Sequence, residues 1–378
     1  MARARARRHP ENRSDMGLTI LNVAYSLAPV AASTAGGAEQ VVKWLDNALV
    51  DAGHHSIVLA AERSKVSGEL WTIPATGDRI IDPQVASEIQ AAQRRAIGEI
   101  VRAREIDLIH MHGIDFCHCL PPAGIPVLAT LHLPVKCYSE EIFHLNRPKT
   151  YLNCVSRHQW QFLPPGLSVR AFIDNGVPVQ SDPMPHKKRG VAAALGRICP
   201  EKGFHLALRA AKKAGMPLIL AGKLFRYPAH EAYFQKQILP LLDQERRFIG
   251  PVGTVAKHWL LSSAQCLLVP SLSSETSSLV SMEALACGTP VVAFRTGALP
   301  DILDHGRTGF LVNSESEMAE ALPATGELDP EVCRAVARER FSLKRMTKAY
   351  LALYSELIGD SDQQARHMKR SVRNSSEA

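Results

Sequence analysis

Residues 268–292 carry more structural information than any other part of the chain and read Leu-Val-Pro-Ser-Leu-Ser-Ser-Glu-Thr-Ser-Ser-Leu-Val-Ser-Met-Glu-Ala-Leu-Ala-Cys-Gly-Thr-Pro-Val-Val. An apolar run that ends at Val269 predicts a buried strand, and a hydroxyl-rich loop follows it. Apolar residues then recur at helical spacing from Leu279, until Gly288 ends the helix and Pro290 opens another strand. The stretch therefore predicts a strand, loop, helix and strand unit of an α/β fold.

Two acids stand at particular places in this unit. Glu275 lies in the loop, at the expected carboxyl edge of the sheet, and Glu283 follows about two turns along the helix. The helix amides freed after Glu275 point into the crevice at that edge, where they favour an anion. An alternative interpretation is that Glu275 only complements the helix dipole and that Glu283 is a solvated helix residue.

The composition indicates a soluble globular protein of two domains or slightly more. The chain has 378 residues, of which 46% are hydrophobic and 21% are charged. No apolar run approaches the roughly 18–20 residues of a membrane span. The net charge of +7 suits diphosphate substrates or an anionic membrane surface, and nothing resembles a nucleic-acid module. The arginine-rich start lacks a secretory signal, so we expect a disordered basic tail, or an upstream extension if Met16 is the true start.

Cysteine and histidine usage bears on the compartment and on metal binding. The eight cysteines are scattered without CxxC pairs, which favours a reducing cytoplasm, with peripheral contact to a membrane left open. Six of the fifteen histidines fall between His110 and His158, with four cysteines among them. Zinc is the alternative that this cluster invites, but its spacings match no ligand pattern, so no metal site is predicted.

The first half of the chain opens as a nucleotide-type βαβ unit. A strand is predicted from Leu18 to Val30, and a flexible run delivers the chain to Gly36 and Gly37 before a helix. The next strand is predicted from Ser56 to Ala61. Glycines after a first strand allow the backbone to come near a ligand, although most glycine pairs are only turns.

A short buried strand in the first half ends in two histidines. Residues two apart on a strand face the same way, so His110 and His112 are expected to face one crevice. The strand that ends at His132 should reach the same edge. The alternative is a pair of hydrogen-bonded core histidines.

The second half repeats the α/β pattern after a polar, proline-punctuated linker at residues 181–190. Its first strand, Val191 to Leu195, leads into Gly-Arg-x4-Lys-Gly. Arg197 and Lys202 lie five residues apart across a strand-to-helix turn, so both side chains can converge on one anion. Two exposed basic residues are the alternative interpretation.

Several residue types match a known family at fixed offsets. From Ser271 the chain reads Ser-x-x-x-Glu-x7-Glu-Ala-x-Ala-x-Gly-x-Pro-Val-Val, and residues 301–312 continue as Asp-Ile-Leu-Asp-His-Gly-Arg-Thr-Gly-Phe-Leu-Val. Together with the Arg197 and Lys202 motif, these segments resemble the family 4 retaining glycosyltransferases of the GT-B superfamily. The resemblance covers roughly residues 18–358. It implies an α/β protein with two Rossmann-like, doubly wound domains that face each other across a cleft.

The domain boundaries follow from this resemblance and from the linker. We expect a disordered basic tail at 1–16, an N-terminal acceptor domain at 17–180, a C-terminal nucleotide-sugar donor domain at 181–342, a helix at 343–359 that crosses back to the first domain, and a disordered tail at 360–378.

The resemblance also implies roles for the candidate residues. Arg197 and Lys202 would hold the donor diphosphate, and Glu275 the sugar. Glu283 would accept hydrogen bonds from the ribose hydroxyls, and His112 would lie by the anomeric centre. The catalytic set is thus His112, Arg197, Lys202 and Glu275. The further donor-binding residues are Gly36, Gly37, Gly196, Gly250, Thr276, Ser277, Ser278 and Leu279.

The function implied is transfer of a hexose-type sugar, with retention, from a nucleotide-diphosphate sugar to an unknown acceptor in polysaccharide biosynthesis. The acceptor could be a glycan, a lipid-linked glycan or a small molecule, and neither metal nor other cofactor is expected. The family usually has Gly-Phe-Gly where this chain has Thr-Ser-Ser at 276–278, which leaves the donor sugar open. Two alternatives stand beside this hypothesis: a sugar-nucleotide epimerase or hydrolase of the same architecture, and a non-catalytic sugar-nucleotide-binding protein.

Overall fold

A computed structural model describes residues 17–376, with gaps at 32–33, 35, 75–82 and 181–187. The predicted basic tail of residues 1–16 and most of the predicted linker lie outside the described residues. Two parallel sheets organise the described part of the chain, one in each half. The predicted α/β class is therefore confirmed.

The first sheet has seven parallel strands in the order β3-β2-β1-β4-β5-β6-β7. Its strands are β1 (Thr19–Val23), β2 (His55–Ala61), β3 (Glu69–Ile73), β4 (Leu108–Met111), β5 (Val127–Leu131), β6 (Thr150–Cys154) and β7 (Ala171–Phe172). The first strand was predicted to reach Val30, which is wrong because the chain turns after Val23 and Pro29 follows within that irregular segment.

The second sheet has six parallel strands in the order β10-β9-β8-β11-β12-β13. Its strands are β8 (Ala192–Leu195), β9 (Leu218–Ala221), β10 (Arg246–Phe248), β11 (Cys266–Val269), β12 (Val291–Phe294) and β13 (Gly309–Val312). The strand, loop, helix and strand unit predicted for residues 268–292 is confirmed as β11, a loop, a helix at Leu279–Ala286, and β12.

Helices cover both faces of each sheet. They are α1 (Gly37–Asp51), α2 (Pro83–Ala103), α3 (Arg157–Gln161), α4 (Phe204–Lys213), α5 (Pro228–Tyr233), α6 (Thr254–Ser263), α7 (Leu279–Ala286), α8 (Leu299–Ile302), α9 (Glu315–Ala324), α10 (Pro330–Arg340) and α11 (Leu343–Ser376). Consecutive strand residues enter different cores: Ile20 packs with α1, whereas Leu21 packs with α2. The strands are therefore buried on both sides, as parallel strands usually are.

Both sheets reverse their strand order at a corresponding place. In the first sheet β1 lies between β2 and β4, and in the second β8 lies between β9 and β11. The loops after two such strands diverge to opposite faces, which opens a crevice at the carboxyl edge of the sheet. The loops after β8 and β11 contain Arg197, Lys202 and Glu275, so these candidates lie where doubly wound folds bind their ligands.

The last helix joins the second half of the chain to the first. Val177 exchanges backbone hydrogen bonds with residues 341 and 343, and α11 then packs against α1. Tyr350 and Tyr354 of α11 are fully buried among residues of the first sheet. The predicted return of this helix to the first half is thus what the structure shows.

The disordered tail predicted from residue 360 does not agree with the structure, in which α11 continues to Ser376. Residues 361–376 contain no glycine or proline, the two residue types that disfavour helix most strongly. Among the described residues, no helix is long and apolar enough to cross a membrane.

Candidate functional site

Two loops meet at the carboxyl edge of the second sheet. Gly203 ends the turn that carries Lys202, and its φ of +64° lies in the left-handed region that glycine tolerates. A Cβ atom on Gly203 would lie 2.2 Å from the carbonyl oxygen of Pro270. The amide of Leu272 also donates to the carbonyl of Glu201, at 2.8 Å. The loops after β8 and β11 therefore pack backbone to backbone, with no room for a side chain between them.

This packing brings two of the predicted residues together. Lys202 Nζ donates to Glu275 Oε1 at 2.5 Å, although the two residues are 73 positions apart. The Ser271 hydroxyl donates to the same carboxylate oxygen. The side chains of Lys202 and Glu275 are 25% and 11% exposed, so this pair is reachable from the crevice but largely shielded from solvent. A shielded acid and base at hydrogen-bond distance can separate to bind a hydroxyl and an anion.

The backbone of Glu275 is fixed by a second loop. Gly297 has a φ of +55°, and a Cβ atom there would lie 2.3 Å from the Glu275 nitrogen. The Ala298 amide donates to the Glu275 carbonyl at 2.8 Å. The position of the Glu275 carboxylate is therefore set by the turn after β12 as well as by its own loop.

Glu283 makes a second pair, with a lysine that sequence reasoning missed. Lys257 Nζ donates to Glu283 Oε1 at 2.5 Å, and the two side chains are 16% and 12% exposed. Burial raises the pKa of Glu283, and the neighbouring Lys257 ammonium opposes that shift. Lys257 also approaches Gln40 of α1, at 3.4 Å. No motif marks Lys257, because its contact depends on how α6 packs beside α7.

Arg197 stands apart from the two lysine pairs. It is exposed, and within the described ranges its side chain has no hydrogen bond or ion pair. Burial raises the pKa of Glu39 on α1, and the charge of Arg197 lowers it in part. Arg197 therefore faces an acid of the first half of the chain, and it keeps its guanidinium donors available. Glu39 is the second site residue that sequence reasoning did not single out.

The predicted glycine pair lies against these elements. A Cβ atom on Gly36 would lie 1.9 Å from the Glu39 carboxylate, and one on Gly37 would lie 3.2 Å from the Leu279 side chain. Leu279 is the first residue of α7. The absence of a side chain at Gly37 thus lets the start of α1 approach the start of α7 closely, and its absence at Gly36 leaves room for the Glu39 carboxylate.

Three histidines cluster at the carboxyl edge of the first sheet. His112 Nδ1 lies 3.0 Å from His132 Nε2, and the His110 ring contacts the His112 ring at an angle of 42°, with centroids 3.9 Å apart. Burial lowers the pKa of all three, so they are neutral at physiological pH. His112 Nε2 is buried, and it has no partner in the part of the chain that the structure describes.

The two other histidines of this cluster are held differently. His110 bonds to Tyr354 Oη at 2.7 Å and to Thr130 Oγ1 at 2.6 Å, as the core-histidine alternative predicts. His132 is linked across to the second half, because its carbonyl accepts a hydrogen bond from Thr276 Oγ1 at 2.8 Å. Of the predicted histidine pair, His112 is therefore the one with a ring nitrogen left to use.

The Thr-Ser-Ser segment does not act as a helix cap. Ser278 is the residue before α7, but its hydroxyl bonds to Ser281 Oγ at 2.8 Å and caps no amide among the described residues. The Ser277 hydroxyl is buried and, within the same residues, lacks a partner. The first amides of α7 therefore remain available to a ligand.

Glycines line the sheet edge beside Arg197. A Cβ atom on Gly222 would lie 1.7 Å from the Gly196 carbonyl oxygen, and the Gly222 amide donates to the Gly250 carbonyl at 2.8 Å. Gly250 has a φ of +76° and nothing within 4 Å of its Cβ position. Gly250 thus borders open space after β10, whereas Gly196 is packed against Gly222 and the Phe204 ring, 3.2 Å from its Cβ position.

The metal alternative can be compared with the structure directly. Among the described residues, three potential metal ligands come together in one group, formed by Cys199, Glu201 and His230. That group lies in the second half of the chain, away from the cysteine- and histidine-rich stretch between His110 and His158. The zinc site that the composition of that stretch invites is not formed by the residues described.

Comparison with known proteins agrees with the fold and identifies the family. A family model described as "Glycosyltransferase Family 4" matches residues 35–169, and one described as "Glycosyl transferases group 1" matches residues 189–325. The fold is similar to sucrose-phosphate synthase from Thermosynechococcus elongatus, with a TM-score of 0.75, 18% identity, and coverage of 90% of this chain and 100% of that one. It is also similar to Anabaena HepE in complex with UDP-glucose, with a TM-score of 0.68, 18% identity, and the same coverage.

These findings place the molecule in a class and then in a family. The two facing doubly wound domains are those of the GT-B glycosyltransferases, as predicted. The chain belongs to family 4 of that superfamily. Among curated proteins it is similar to the D-inositol 3-phosphate glycosyltransferases of Mycobacterium tuberculosis and Mycobacterium bovis, with 35% identity over 186 residues. That match covers 45% of this chain and 38% of the length of those relatives.

Proposed function

We propose that this protein transfers a hexose-type sugar, with retention of anomeric configuration, from a nucleotide-diphosphate sugar to an acceptor hydroxyl. The observation that carries the proposal is the pair of lysine–carboxylate contacts, Lys202 with Glu275 and Lys257 with Glu283, at one sheet edge. A sugar nucleotide needs both types of group, since its diphosphate takes cations and its sugar and ribose hydroxyls take carboxylates.

In each pair, the lysine and the carboxylate neutralise each other until the donor binds. In the absence of donor, Glu275 compensates the charge of Lys202 at low exposure. A diphosphate that approaches Lys202 replaces the carboxylate as its counter-ion, and Glu275 is released to accept hydrogen bonds from the sugar. We assign Glu283, on the same helix as the free amides of α7, to accept hydrogen bonds from the ribose hydroxyls.

Arg197 supplies the second cation of the clamp. As the bond to the anomeric carbon breaks, negative charge grows on the leaving diphosphate, and Arg197 and Lys202 stabilise that growing charge. Each charge-assisted hydrogen bond is worth about 1.5–3 kcal/mol, which corresponds to roughly a tenfold to hundredfold change in rate. Proton removal from the acceptor is assigned to the leaving phosphate itself, so no metal or other cofactor enters the proposal.

His112 is assigned to the transferred sugar. Its Nε2 atom is buried without a partner among the described residues, and a buried polar atom of that kind favours a ligand that satisfies it. Because burial lowers its pKa, the imidazole is neutral and can exchange a hydrogen bond with a sugar hydroxyl without adding positive charge. The acceptor is expected to enter from the first domain and to be a glycan, a lipid-linked glycan or a small molecule.

Ligands bound in structures of similar proteins support a nucleotide-diphosphate sugar as the donor. HepE has been crystallised with UDP and with UDP-glucose, and starch synthase IV from Arabidopsis thaliana with ADP and acarbose. We therefore expect UDP-, ADP- or GDP-linked hexoses to be the donors to test first. Binding of the right donor should raise the melting temperature by mass action, and the wrong bases should not.

The decisive experiment compares Lys202→Met with Lys212→Met, a matched removal of an exposed lysine on α4. With the donor chosen by thermal shift, we expect Lys202→Met to lose at least about tenfold in turnover and Lys212→Met to keep the wild-type rate. Nuclear magnetic resonance of the product should show the anomeric configuration of the donor. Equal turnover by both variants, or an inverted product, would remove the proposal.

The same assay separates the alternatives. An epimerase or hydrolase would convert the donor when the acceptor is omitted, whereas the proposed transferase requires the acceptor. Donor binding without any turnover across a broad acceptor panel would favour the non-catalytic sugar-nucleotide-binding protein. Turnover that persists in the presence of a chelator is expected, because the clamp uses Arg197 and Lys202 in place of a metal.

A further inference from the structure

We propose that Cys199, Glu201 and His230 form a binding site for one zinc ion, beside the turn that carries Arg197 and Lys202. One potential ligand atom from each of the three residues lies within 4.8 Å of the others. Cys199 and Glu201 flank Pro200 in the turn after β8, and His230 lies in α5. The site thus joins two segments that are separated by about a strand, a helix and a loop.

The unsatisfied ring nitrogen of His230 is an independent observation in favour of a ligand. His230 Nδ1 is buried and has no hydrogen-bond partner among the described residues. Most buried polar atoms in folded proteins are paired, and one that is not calls for an ion, a water or a functional role. A metal held by the Cys199 sulfur, a Glu201 oxygen and a ring nitrogen of His230 would give this imidazole a ligand.

The ligand types favour zinc over harder cations. Thiolate and imidazole ligands suit zinc, whereas magnesium and calcium prefer sets made of oxygen atoms. Three protein ligands leave the fourth tetrahedral position to a water molecule. Ligand atoms around a tetrahedral zinc lie roughly 3.3–3.8 Å apart, given bond lengths of about 2.0–2.3 Å, so the side chains need to close by only about an ångström.

Metal binding involves a defined proton release. In the free protein Cys199 is a thiol that donates a hydrogen bond to the Arg197 carbonyl, at 3.6 Å. Zinc displaces the thiol proton to solvent and forms a Zn–S bond to the thiolate. His230 contributes a neutral lone pair and Glu201 an ionised carboxylate, so one proton leaves per ion bound. No electron transfer is involved.

The consequence concerns the turn between Cys199 and Gly203. Arg197 precedes Cys199 by two residues, and Lys202 follows Glu201 directly. An ion held between the turn and α5 would restrict the backbone from which both basic side chains extend. The zinc site itself does not depend on the proposed transferase activity, because its ligands are not the groups assigned to the donor.

The test is zinc binding to the full, untagged chain, followed by isothermal titration calorimetry and by thermal unfolding. The variants are Cys199→Ser and His230→Gln, and the matched controls are Cys137→Ser and His144→Gln, which change an exposed cysteine and an exposed histidine. Cobalt serves as a spectroscopic probe, because a cobalt–thiolate bond adds a charge-transfer band that requires the cysteine.

We expect one zinc ion per chain in the wild type and in both controls, with about one proton released and a higher melting temperature. Cys199→Ser and His230→Gln should each weaken zinc binding by at least about tenfold, and Cys199→Ser should lose the cobalt–thiolate band. Should Cys199→Ser fail to fold, His230→Gln decides the matter, since His230 lies on a partly exposed short helix. Stoichiometric zinc binding that survives in His230→Gln, or no binding by the wild type, would overturn the proposal.

Discussion

Replacing Lys257 with methionine should leave the Glu283 carboxylate in a shielded position without its cation. The two side chains are 16% and 12% exposed in the wild-type pair. Loss of one partner of a buried ion pair lowers the free energy of unfolding by about 3–5 kcal/mol. Because Lys257 and Glu283 keep some exposure to solvent, we expect a loss near the lower value for Lys257→Met. Each kcal/mol shifts the melting temperature of a domain of this size by about 2–4 °C, so we expect a drop of about 6–12 °C at pH 8.

The effect should depend on pH in a particular direction. Burial raises the pKa of Glu283 in the folded protein, and removal of Lys257 takes away the charge that opposes this shift. A carboxyl group with a raised folded-state pKa adds stability at low pH, and that stability is lost as the pH rises through the folded-state pKa. The melting temperatures of Lys257→Met and wild type should therefore lie closer together at pH 5 than at pH 8.

Differential scanning calorimetry of five proteins tests this reasoning. The set is wild type, Lys257→Met, Glu283→Gln, and the double variant, with Lys212→Met as a control for the removal of an exposed lysine. The double variant should recover most of the loss, because its amide needs no counter-ion. A melting-temperature difference that is equal at pH 5 and pH 8, or that persists in the double variant, would refute the account of the pair.

Two further predictions concern the glycine that packs against the Glu275 backbone and the buried hydrogen bond between His110 and Tyr354. Gly297→Ala should lower both the melting temperature and donor turnover, because its Cβ would collide with the Glu275 backbone at a positive φ. The control is Gly306→Ala, at a φ of +78° with open space around the Cβ position. This variant should lower stability by only about 1–2 kcal/mol and keep the wild-type turnover. Equal turnover in both variants would count against the control of Glu275 by Gly297. Tyr354→Phe should cost about 1–3 kcal/mol, measured by thermal unfolding, because His110 Nδ1 would lose its buried partner; an unchanged melting temperature would contradict this.

The site residues that could be predicted from the sequence are those that belong to a local sequence motif. Arg197 and Lys202 lie in a single strand-to-helix turn, and Glu275 follows the neighbouring strand. Parallel strands bring their carboxyl ends to one edge, so the contact between Lys202 and Glu275 could be expected from the sequence. Their roles in donor binding stay predictions until a donor is tested.

The residues that it missed depend on packing between distant elements. Lys257 reaches Glu283 only because α6 lies beside α7, and Glu39 meets Arg197 only because the two halves of the chain face each other. Neither Lys257 nor Glu39 belongs to a short sequence motif that indicates a chemical function. The extent of the first strand was overestimated for a related reason: Ala24 and Val30 are buried in an irregular segment, and burial alone does not define a strand.

The burial of Tyr350 and Tyr354 under the first sheet has a consequence for the order of folding during synthesis. Thr130 and Asn153 of the first half bond to each other and also to the Tyr350 hydroxyl of α11. A nascent chain exposes this half first, at about 5–20 residues per second, and must finish the entire second half before α11 exists. On the ribosome these polar side chains of the first half are therefore made well before the tyrosine of α11 that bonds to them.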